Sequence, residues 1–250
     1  MPFHQACCLF LAINSWLDIS KEPKKEICFI PCKLSELQSE LLTIYSNNAR
    51  NSGDVHILEP VKKGKYSGTR TTNQNYQEML AKNAPQIKLW NEEFEQFERL
   101  SMREGEPVLC TRNHWEKDLQ NGSLGTIINV YSELQEQFDC KDQPTGEAYT
   151  DIQWDNGQIR PLTEDLIDDI ELAYSITAHK AQGSQWNTII FPVYKCRNLD
   201  RSLLYTAITR AKKKVILLGD PDIAKQAVLE IPHSFQRITG LCELLYSDVE

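Results

Sequence analysis

The amino-acid sequence predicts an α/β protein whose parallel sheet is interrupted by a small inserted antiparallel β-barrel. Strand-like and helical segments alternate towards both ends of the chain, and this alternation is typical of parallel sheets. The middle of the chain has short β-type runs and no obvious helix, and Asp155-Asn156-Gly157 is a strong hairpin signal there. The predicted segments are a first α/β part at 26–100, the barrel at 103–163, a second α/β part at 164–240, and tails at 1–25 and 241–250.

The first α/β part shows both helical and strand-like patterns. Leucines recur at helical spacing after the first strand, which predicts an amphipathic helix, and Pro60 ends the second strand. Trp90, Phe94 and Phe97 also recur at helical spacing, so we expect them to form an apolar stripe in the core. The predicted elements are a strand at 26–32, a helix at 33–50, a strand at 54–60, a basic loop at 61–70 and a helix at 71–85.

The remaining elements follow from the same patterns. The polar segment 133–148, inside the predicted barrel, is expected to be a loop. The run "ELAYSI" predicts a single strand at 171–176, and the stretch at 177–186 opens a helix or a turn. The last predicted elements are a strand at 188–193, a helix at 198–211, a strand at 214–220 and a helix at 223–230.

Composition and charge exclude some classes of protein. A formal net charge of -8 argues against a uniformly basic nucleic-acid protein, although a local basic groove remains compatible with it. Such a groove is indicated by residues 195–214, which are rich in Lys and Arg and contain a single acid, Asp200, and by the basic residues at 62–70. The alternative is ordinary solvated surface charge.

The cysteines and the N-terminus indicate a reducing compartment and no membrane. The 8 Cys are scattered without a CxxC pair, so no metal site is predicted and a cytoplasmic location is expected. The apolar patch at 1–20 lacks a basic region and is too short to span a bilayer, which predicts neither a signal peptide nor a membrane span. We expect this patch to need a neighbour from a missing N-terminal part.

The segment 198–214 combines an apolar helical stripe with polar side chains. Tyr205, Thr209 and Arg210 lie off the stripe, so some of them can face a cleft. Arginine is suited to reaching a transferring phosphate from across an interface, which makes Arg210 a candidate for that role. Lys212–Lys214 have a simpler interpretation, since cations stabilise the negative C-terminus of a helix.

The stretch "ITAHKAQGSQW" at 176–186 places many polar groups just after a predicted strand. Ligands bind at the carboxyl ends of strands in open α/β sheets, so this stretch is a candidate site. Compact hydroxyls, a glycine and two basic side chains could meet a phosphate. Simpler interpretations are that Thr177 caps a helix and that His179 is a structural, partly buried imidazole. The candidates here are Thr177, His179, Lys180, Gly183 and Ser184.

Two segments together carry a family resemblance. "LAYSITAHKAQGSQW" and "LLYTAITRAKKKVILLGD" resemble the last two motifs of superfamily 1 DNA helicases, with the RecD-like branch the most similar. "DVHILEPVKKGKYSGTRTTNQNYQEML" and "GEPVLCTRNHWEKDLQNGSLGTIINV" resemble further segments of that branch. The resemblance covers about 26–240. It implies the C-terminal motor region of such a helicase, with a RecA-like domain that carries the inserted barrel.

The resemblance also implies roles for individual residues. In these helicases ATP lies between two RecA-like domains, and the second domain directs an arginine to the γ-phosphate; Arg210 matches that catalytic arginine. The positions matching nucleotide contacts are Gly183, Ser184, Gln185, Lys62, Lys63, Tyr205 and Thr209. The positions matching nucleic-acid contacts are Thr177, His179, Lys180, Gln182, Arg112 and Asn113. The implied partners are single-stranded DNA and an N-terminal motor domain or polypeptide that holds most of the ATP and Mg²⁺.

This sequence departs from the family pattern in ways that bear on activity. Gln185 stands where the family usually has an acid, and Lys62 and Lys63 stand where arginine is common; lysine cannot make the same bidentate fork. The chain also contains no GxxxxGK[ST] phosphate loop. We therefore expect it to hold half of an ATP site and to hydrolyse no ATP alone.

Two other interpretations stay open at this stage. The chain could be a non-catalytic module that binds nucleic acid or docks onto a partner, or it could be a truncated gene remnant. Gln185 and the missing phosphate loop favour these alternatives. The intact "YTAITRA" segment disfavours them, because a pure binding module has no use for an arginine that reaches a phosphate.

Overall fold

The computed structural model describes residues 27–52, 54–91, 96–133, 135–138 and 144–229. The predicted tails, the apolar patch at 1–20, the end of the second α/β part at 230–240 and Phe94 lie outside the described residues. The strands are β1 (Ile27–Pro31), β2 (Val55–Glu59), β3 (Gln86–Asn91), β4 (Gln96–Arg103), β5 (Pro107–Cys110), β6 (Leu124–Ile128), β7 (Gln135–Phe138), β8 (Pro144–Trp154), β9 (Ile159–Thr163), β10 (Ile170–Leu172), β11 (Ser175–Thr177), β12 (Trp186–Val193) and β13 (Ala211–Gly219). The helices are α1 (Leu37–Ser52), α2 (Thr69–Leu80), α3 (Glu164–Ile167), α4 (Arg201–Ile208) and α5 (Pro221–Leu229), with a 3₁₀ turn at Trp115–Lys117.

A five-stranded parallel sheet forms the α/β core, in the order β1-β13-β12-β2-β11. The buried parts of its strands are mainly apolar on both faces because helices cover both. Leu37 of α1 and Tyr76 of α2 pack on one face against Ile57 and Ile190. Leu203 and Leu204 of α4 pack on the other face, together with residues of α5. The predicted parallel-sheet α/β fold is therefore confirmed.

An antiparallel sheet is inserted between β2 and β11 in the chain. Its strands follow the order β10-β5-β6-β8, and the 11-residue β8 also pairs with β7 and β9. This sheet has its own core, in which Val108, Ile127, Ile152 and Leu162 are buried. The pairings describe an antiparallel sheet, and its closure into a barrel stays a prediction.

The prediction of a loop at 133–148 is wrong. Residues Gln135–Phe138 form β7 and pair with the beginning of β8, from Pro144 to Ala148. The polar composition misled the prediction because backbone hydrogen bonds, and not apolar side chains, hold this edge pair together. Gln135 and Glu136 are exposed, as polar residues of an edge strand can be.

The prediction of a single strand at 171–176 is also wrong. Ile170–Leu172 pairs with β5 in the antiparallel sheet, whereas Ser175–Thr177 pairs with β2 in the parallel sheet. The chain passes from one sheet to the other at Ala173 and Tyr174, which are both buried. The strand-like composition hides this change because it continues through the buried link between the two strands.

Two helical predictions need correction as well. Lys212–Lys214 do not end a helix: α4 ends at Ile208, and the three lysines lie in β13, which pairs with β12. Trp90 and Phe97 do not share a helix either, since they lie opposite each other in the antiparallel pair β3–β4. In both places backbone pairing with a neighbouring strand overrides the spacing of side chains.

Three compositional features of the described residues complete the fold. No helix among these residues is both long and apolar enough to cross a membrane. The described cysteines, Cys28, Cys32, Cys110 and Cys196, are all free thiols. The described residues contain no group of three side chains that could hold a metal ion.

Candidate functional site

The predicted site residues lie at two opposite ends of the parallel sheet. Thr177 ends β11 opposite Glu59, which ends β2, so both mark the carboxyl edge of the sheet. Trp186 begins β12 opposite Ala211, which begins β13, so both mark the amino edge. Residues 178–185 are mostly turns and carry the chain from one edge to the other. The polar stretch found in the sequence therefore contributes to two separate clusters.

The amino-edge cluster is built around Arg210, between α4 and β13. Its Nε donates to the carbonyl of Thr206 at 3.2 Å, Nη1 donates to the carbonyl of Ser184 at 3.5 Å, and Nη2 donates to Thr209 Oγ1 at 3.1 Å. These partners are all neutral oxygens, and no carboxylate in the described part of the chain forms an ion pair with Arg210. The guanidinium is thus held in place without losing its net positive charge.

Further predicted nucleotide-binding residues join this cluster. Gln185 Nε2 donates to the carbonyl of Thr209 at 3.5 Å, and Tyr205 is partly buried on α4. Gly183 has a φ of +94°, a conformation that L side chains rarely adopt, while no atom lies within 4 Å of an added Cβ. The glycine is therefore required by the backbone turn and not by crowding. The structure brings together Gly183, Ser184, Gln185, Tyr205, Thr209 and Arg210.

The carboxyl-edge cluster contains the predicted nucleic-acid residues of the same stretch. Thr177 Oγ1 accepts a hydrogen bond from the Lys180 backbone N–H at 3.4 Å, which closes a turn and does not cap a helix. Lys180 Nζ lies 3.2 Å from Glu171 Oε2. His179 and Gln182 are exposed on the following turn, where the Gln182 N–H donates to the His179 carbonyl. Their side chains are therefore open to a ligand.

Lys62 and Lys63, predicted as nucleotide-binding, lie at the carboxyl edge and not beside Arg210. They follow the end of β2, and Lys62 Nζ lies 2.6 Å from Glu171 Oε1. Lys63 is exposed. The structure thus groups Lys62 with Lys180 through a shared carboxylate, and both lysines face the same side as the predicted nucleic-acid residues.

Glu59 organises this edge and was missed by sequence reasoning. It is fully buried, and its Oε1 accepts hydrogen bonds from Ser67 Oγ at 2.6 Å and Thr72 Oγ1 at 2.7 Å. Burial raises the pKa of Glu59 to about 7, against the opposing effect of hydrogen bonds from Ser67, Thr72, Gly68 and Tyr194. Glu59 thereby anchors the basic loop that carries Lys62. The available signal was an acid at the end of the mainly apolar strand "VHILE".

Arg112 and Asn113 lie in the loop after β5 and are held by the antiparallel sheet. Arg112 Nε lies 3.3 Å from Asp169 Oδ1, and Asn113 Oδ1 accepts from the Asn121 N–H at 2.8 Å. The same loop approaches the Lys180 turn, since a Cβ added at Gly122 would lie 3.7 Å from the Lys180 carbonyl oxygen. Arg112 is largely exposed, so this loop extends the carboxyl-edge cluster.

Asp169 is a second residue that sequence reasoning missed. Its buried carboxylate also meets His114 Nε2 at 3.0 Å, and its carbonyl accepts from the backbone N–H of Thr111 at 2.7 Å. Asp169 therefore fixes the start of the loop that presents Arg112. Its place in the acidic run "TEDLIDDIE" concealed this role, because such runs are usually solvated surface.

Comparison with known proteins shows which helicases this chain resembles. Residues 172–218, which include parts of both clusters, match the model of the UvrD-like helicase C-terminal domain. This chain resembles the C-terminal motor region of RecD-like superfamily 1 helicases. The ATP-dependent RecD2 DNA helicase of Deinococcus radiodurans is 26% identical over 170 residues, which cover 67% of this chain and 20% of that protein. The RecBCD enzyme subunit RecD of Mycobacterium tuberculosis is 33% identical over 126 residues, which cover 50% of this chain and 19% of that subunit.

A solved structure has a similar fold. The Pif1 helicase from Bacteroides, crystallised in complex with ADP-AlF3 and ssDNA, superposes with a TM-score of 0.50 at 17% identity. The superposition covers 97% of this chain and 54% of that one. The parallel-sheet core therefore resembles the RecA-like domain of a superfamily 1 helicase. The chain spans about a fifth of the length of the curated relatives that it matches.

Proposed function

We propose that this chain is the C-terminal motor region of an ATP-dependent RecD-like DNA helicase. It grips single-stranded DNA with the carboxyl-edge cluster and directs Arg210 towards ATP held by an N-terminal motor domain. The observation that carries the proposal is the match of residues 172–218 to the UvrD-like helicase C-terminal domain, because this range includes Thr177–Gln185 and Tyr205–Arg210. Helix α4 and the turn at 178–185 thus belong to one motor unit with two edges.

The role of Arg210 follows from its surroundings. Its guanidinium is positioned by Thr206, Ser184 and Thr209, and its charge is not neutralised by a carboxylate among the described residues. An arginine in this state can stabilise the negative charge that develops on a transferring phosphate. Bound ATP would supply the phosphoryl group, and Arg210 would meet its γ-phosphate.

The other requirements of ATP chemistry point to a partner domain. The sequence has no GxxxxGK[ST], so nothing of that kind cradles the phosphates. On this proposal the chain alone binds DNA and hydrolyses no ATP.

The DNA contact rests on the cations and polar groups of the carboxyl edge. Lys62, Lys180 and Arg112 lie on neighbouring loops, and each side chain is at least partly exposed. A row of cations of this kind suits the phosphates of a single strand, while Thr177, His179 and Gln182 add hydrogen-bonding groups. We assign Lys62 to this edge and not to the nucleotide, because it shares Glu171 with Lys180.

The proposal is tested by replacing Arg210 in a protein that contains both motor domains. Arg210→Ala, in this chain joined to an N-terminal domain that carries the phosphate loop, should nearly abolish DNA-stimulated ATP hydrolysis and spare DNA binding. Lys225→Ala, which removes an exposed cation from α5, serves as the control for a loss of charge elsewhere. Retained hydrolysis in the Arg210→Ala protein would remove Arg210 from this role.

A second candidate function is a non-catalytic module that binds nucleic acid or a partner. It is favoured by Gln185, which stands where an acid is usual and turns its amide onto the Thr209 carbonyl. On this candidate, the joined protein would bind single-stranded DNA as tightly as proposed, and no N-terminal domain with a phosphate loop would restore ATP hydrolysis. The same experiment therefore separates the two functions.

A further inference from the structure

One carboxylate lies between the two lysines that the proposed function assigns to nucleic acid. Lys62 Nζ lies 2.6 Å from Glu171 Oε1, and Lys180 Nζ lies 3.2 Å from Glu171 Oε2. Each oxygen of Glu171 thus takes one ammonium group. A phosphate offers the same arrangement, because two of its oxygens can each accept from a different cation.

The three residues come from three different parts of the fold. Lys62 belongs to the loop after β2, Lys180 to the turn after β11, and Glu171 to β10 of the antiparallel sheet. Their side chains are 53%, 31% and 41% exposed for Lys62, Lys180 and Glu171, so a ligand can reach all of them. Ion pairs exposed to this degree are weak and can be exchanged at little cost.

Glu171 carries its negative charge at neutral pH. Burial by itself would raise the pKa of this carboxyl, but the hydrogen bond from Lys62 and the charge and hydrogen bond of Lys180 lower it below its ordinary value. Lys62 and Lys180 therefore meet a charged competitor in the absence of nucleic acid. The contrast is with Arg112, whose carboxylate partner Asp169 is itself buried and held by His114.

We propose that Glu171 occupies the place of a nucleic-acid phosphate between Lys62 and Lys180, and that it is displaced when a single strand binds. This inference rests on the proposed function and adds an internal competitor to its DNA-binding edge. The competitor lowers the affinity of the open site, so that a strand is held less tightly and can be released. Because Glu171 belongs to the inserted sheet, a shift of that sheet relative to the loop after β2 changes the strength of the competition.

A purely structural role makes a different prediction. If Glu171 only ties the antiparallel sheet to the parallel sheet, its neutralisation loosens the loop after β2 and weakens DNA binding or leaves it unchanged. If Glu171 competes with phosphate, its neutralisation frees two ammonium groups and strengthens binding. The sign of the change in affinity therefore decides between the two roles.

The experiment measures binding of a fluorescein-labelled oligothymidylate to the full chain by anisotropy, over a series of salt concentrations. Glu171→Gln keeps the size of the side chain and removes its charge. We expect it to lower Kd by about fivefold, the effect of removing competition by a pair of partly exposed ion pairs. The salt dependence should become steeper, since more counterions are released per bound strand. Glu40→Gln, on exposed α1 surface, is the matched control for a change of charge and should leave Kd unchanged.

Repeating the Glu171 substitution in a variant that lacks both lysines tests whether the effect acts through them. In a Lys62→Ala/Lys180→Ala chain, Glu171→Gln should no longer tighten binding, because the freed cations are absent. An unchanged or raised Kd for Glu171→Gln in the wild-type background overturns the inference, while weakening by Lys180→Ala still upholds the proposed DNA site. If neither the wild type nor Glu171→Gln binds the oligothymidylate, both the inference and the DNA part of the proposed function are wrong.

Discussion

The two edges of the parallel sheet hold their cations in opposite ways. At the amino edge, Arg210 is fixed by carbonyl and hydroxyl oxygens that leave its charge uncompensated. At the carboxyl edge, Lys62 and Lys180 share one carboxylate, which offsets half of their combined charge. Under the proposed function, this difference suits two kinds of phosphate contact: the charge of Arg210 is available for a brief, strong contact, whereas Lys62 and Lys180 exchange one partner for another at small cost.

The largest effect is expected when Arg210 is replaced by another cation, because this tests whether its fixed geometry matters beyond its charge. Arg210→Lys in the joined two-domain protein should lower the turnover of ATP nearly as much as Arg210→Ala, for which a loss of about 10³- to 10⁵-fold is expected of an arginine finger. The reason is that an ammonium cannot donate from Nε, Nη1 and Nη2 to three separate oxygens and still face a phosphate. The turnover of the two variants is measured by steady-state ATP hydrolysis. Turnover by Arg210→Lys within about tenfold of the wild type would mean that charge alone suffices.

The carboxyl edge can be probed through the buried acid beneath it. The pKa of Glu59 is raised by burial to about 7 in the folded protein, so between its ordinary value and about 7 the folded state binds more protons than the unfolded state. The contribution of Glu59 to stability should therefore fall as pH rises through this window, by about 3 kcal/mol in the limit. Buried His56, whose pKa is lowered to about 4, contributes the opposite slope, so the effect of Glu59 is measured as the difference between the wild type and a Glu59 variant. Glu59→Gln keeps an acceptor for Ser67 and Thr72 and should lose this fall, as measured by urea unfolding at several pH values.

The matched control for Glu59 is Glu78→Gln, because Glu78 is exposed on α2. It should unfold with the same pH dependence as the wild type. If Glu59→Gln is no more stable than the wild type above pH ~7, the charged form of Glu59 does not destabilise the folded protein. The hydrogen bonds to its carboxylate would then outweigh the effect of burial.

Lys62 tests the separation between the two edges. The sequence predicted that it binds the nucleotide, whereas the structure places it beside Lys180. Lys62→Ala should weaken binding of single-stranded DNA severalfold and lower the slope of log affinity against log salt by about 0.7, the value for one phosphate on a single strand. It should leave the KM for ATP of the joined protein unchanged. A raised KM with unchanged DNA affinity would return Lys62 to the nucleotide site.

The smallest predicted effect concerns the helix that supports Arg210. Asp200 caps α4, with its Oδ1 accepting from the Leu203 N–H at 2.8 Å. Asp200→Ala should cost about 1 kcal/mol of stability, while Asp200→Asn retains an acceptor and should cost less. Thermal unfolding of the two variants provides the measurement. Equal losses in both would show that the charge, and not the cap, supports the helix.

Sequence alone could predict the parallel sheet because most of its strands contain a mainly apolar run, such as 215–218 in β13, and its helices keep helical spacing. It could also single out Arg210, Thr177 and Lys180 as candidates, since local motifs carry them, and their roles stay predictions. It could not place Lys62 beside Lys180, because the link runs through Glu171, which is 109 residues from Lys62 in sequence. Such a contact depends on which sheet edge each loop reaches, and no local pattern reports that.

Other failures have equally specific causes. β7 is polar because it lies at an edge and is held through its backbone, so composition predicted a loop there. The run at 171–176 joins two sheets, and its strand-like composition continues through the buried link Ala173–Tyr174, so no local signal marked the change from one sheet to the other. Glu59 was not predicted as a site residue because a single acid in a mainly apolar strand gives no spacing pattern. Its burial beneath the carboxyl edge is visible only in the structure.

The most direct test of the separation between the edges compares two variants in one assay. Binding of labelled oligothymidylate to the full chain is measured for Lys180→Ala and for Arg210→Ala under the same salt conditions. The account predicts that Lys180→Ala weakens binding severalfold while Arg210→Ala binds as the wild type does. Equal weakening by both variants, or weakening by Arg210→Ala alone, would contradict the assignment of DNA to the carboxyl edge and of the nucleotide to the amino edge.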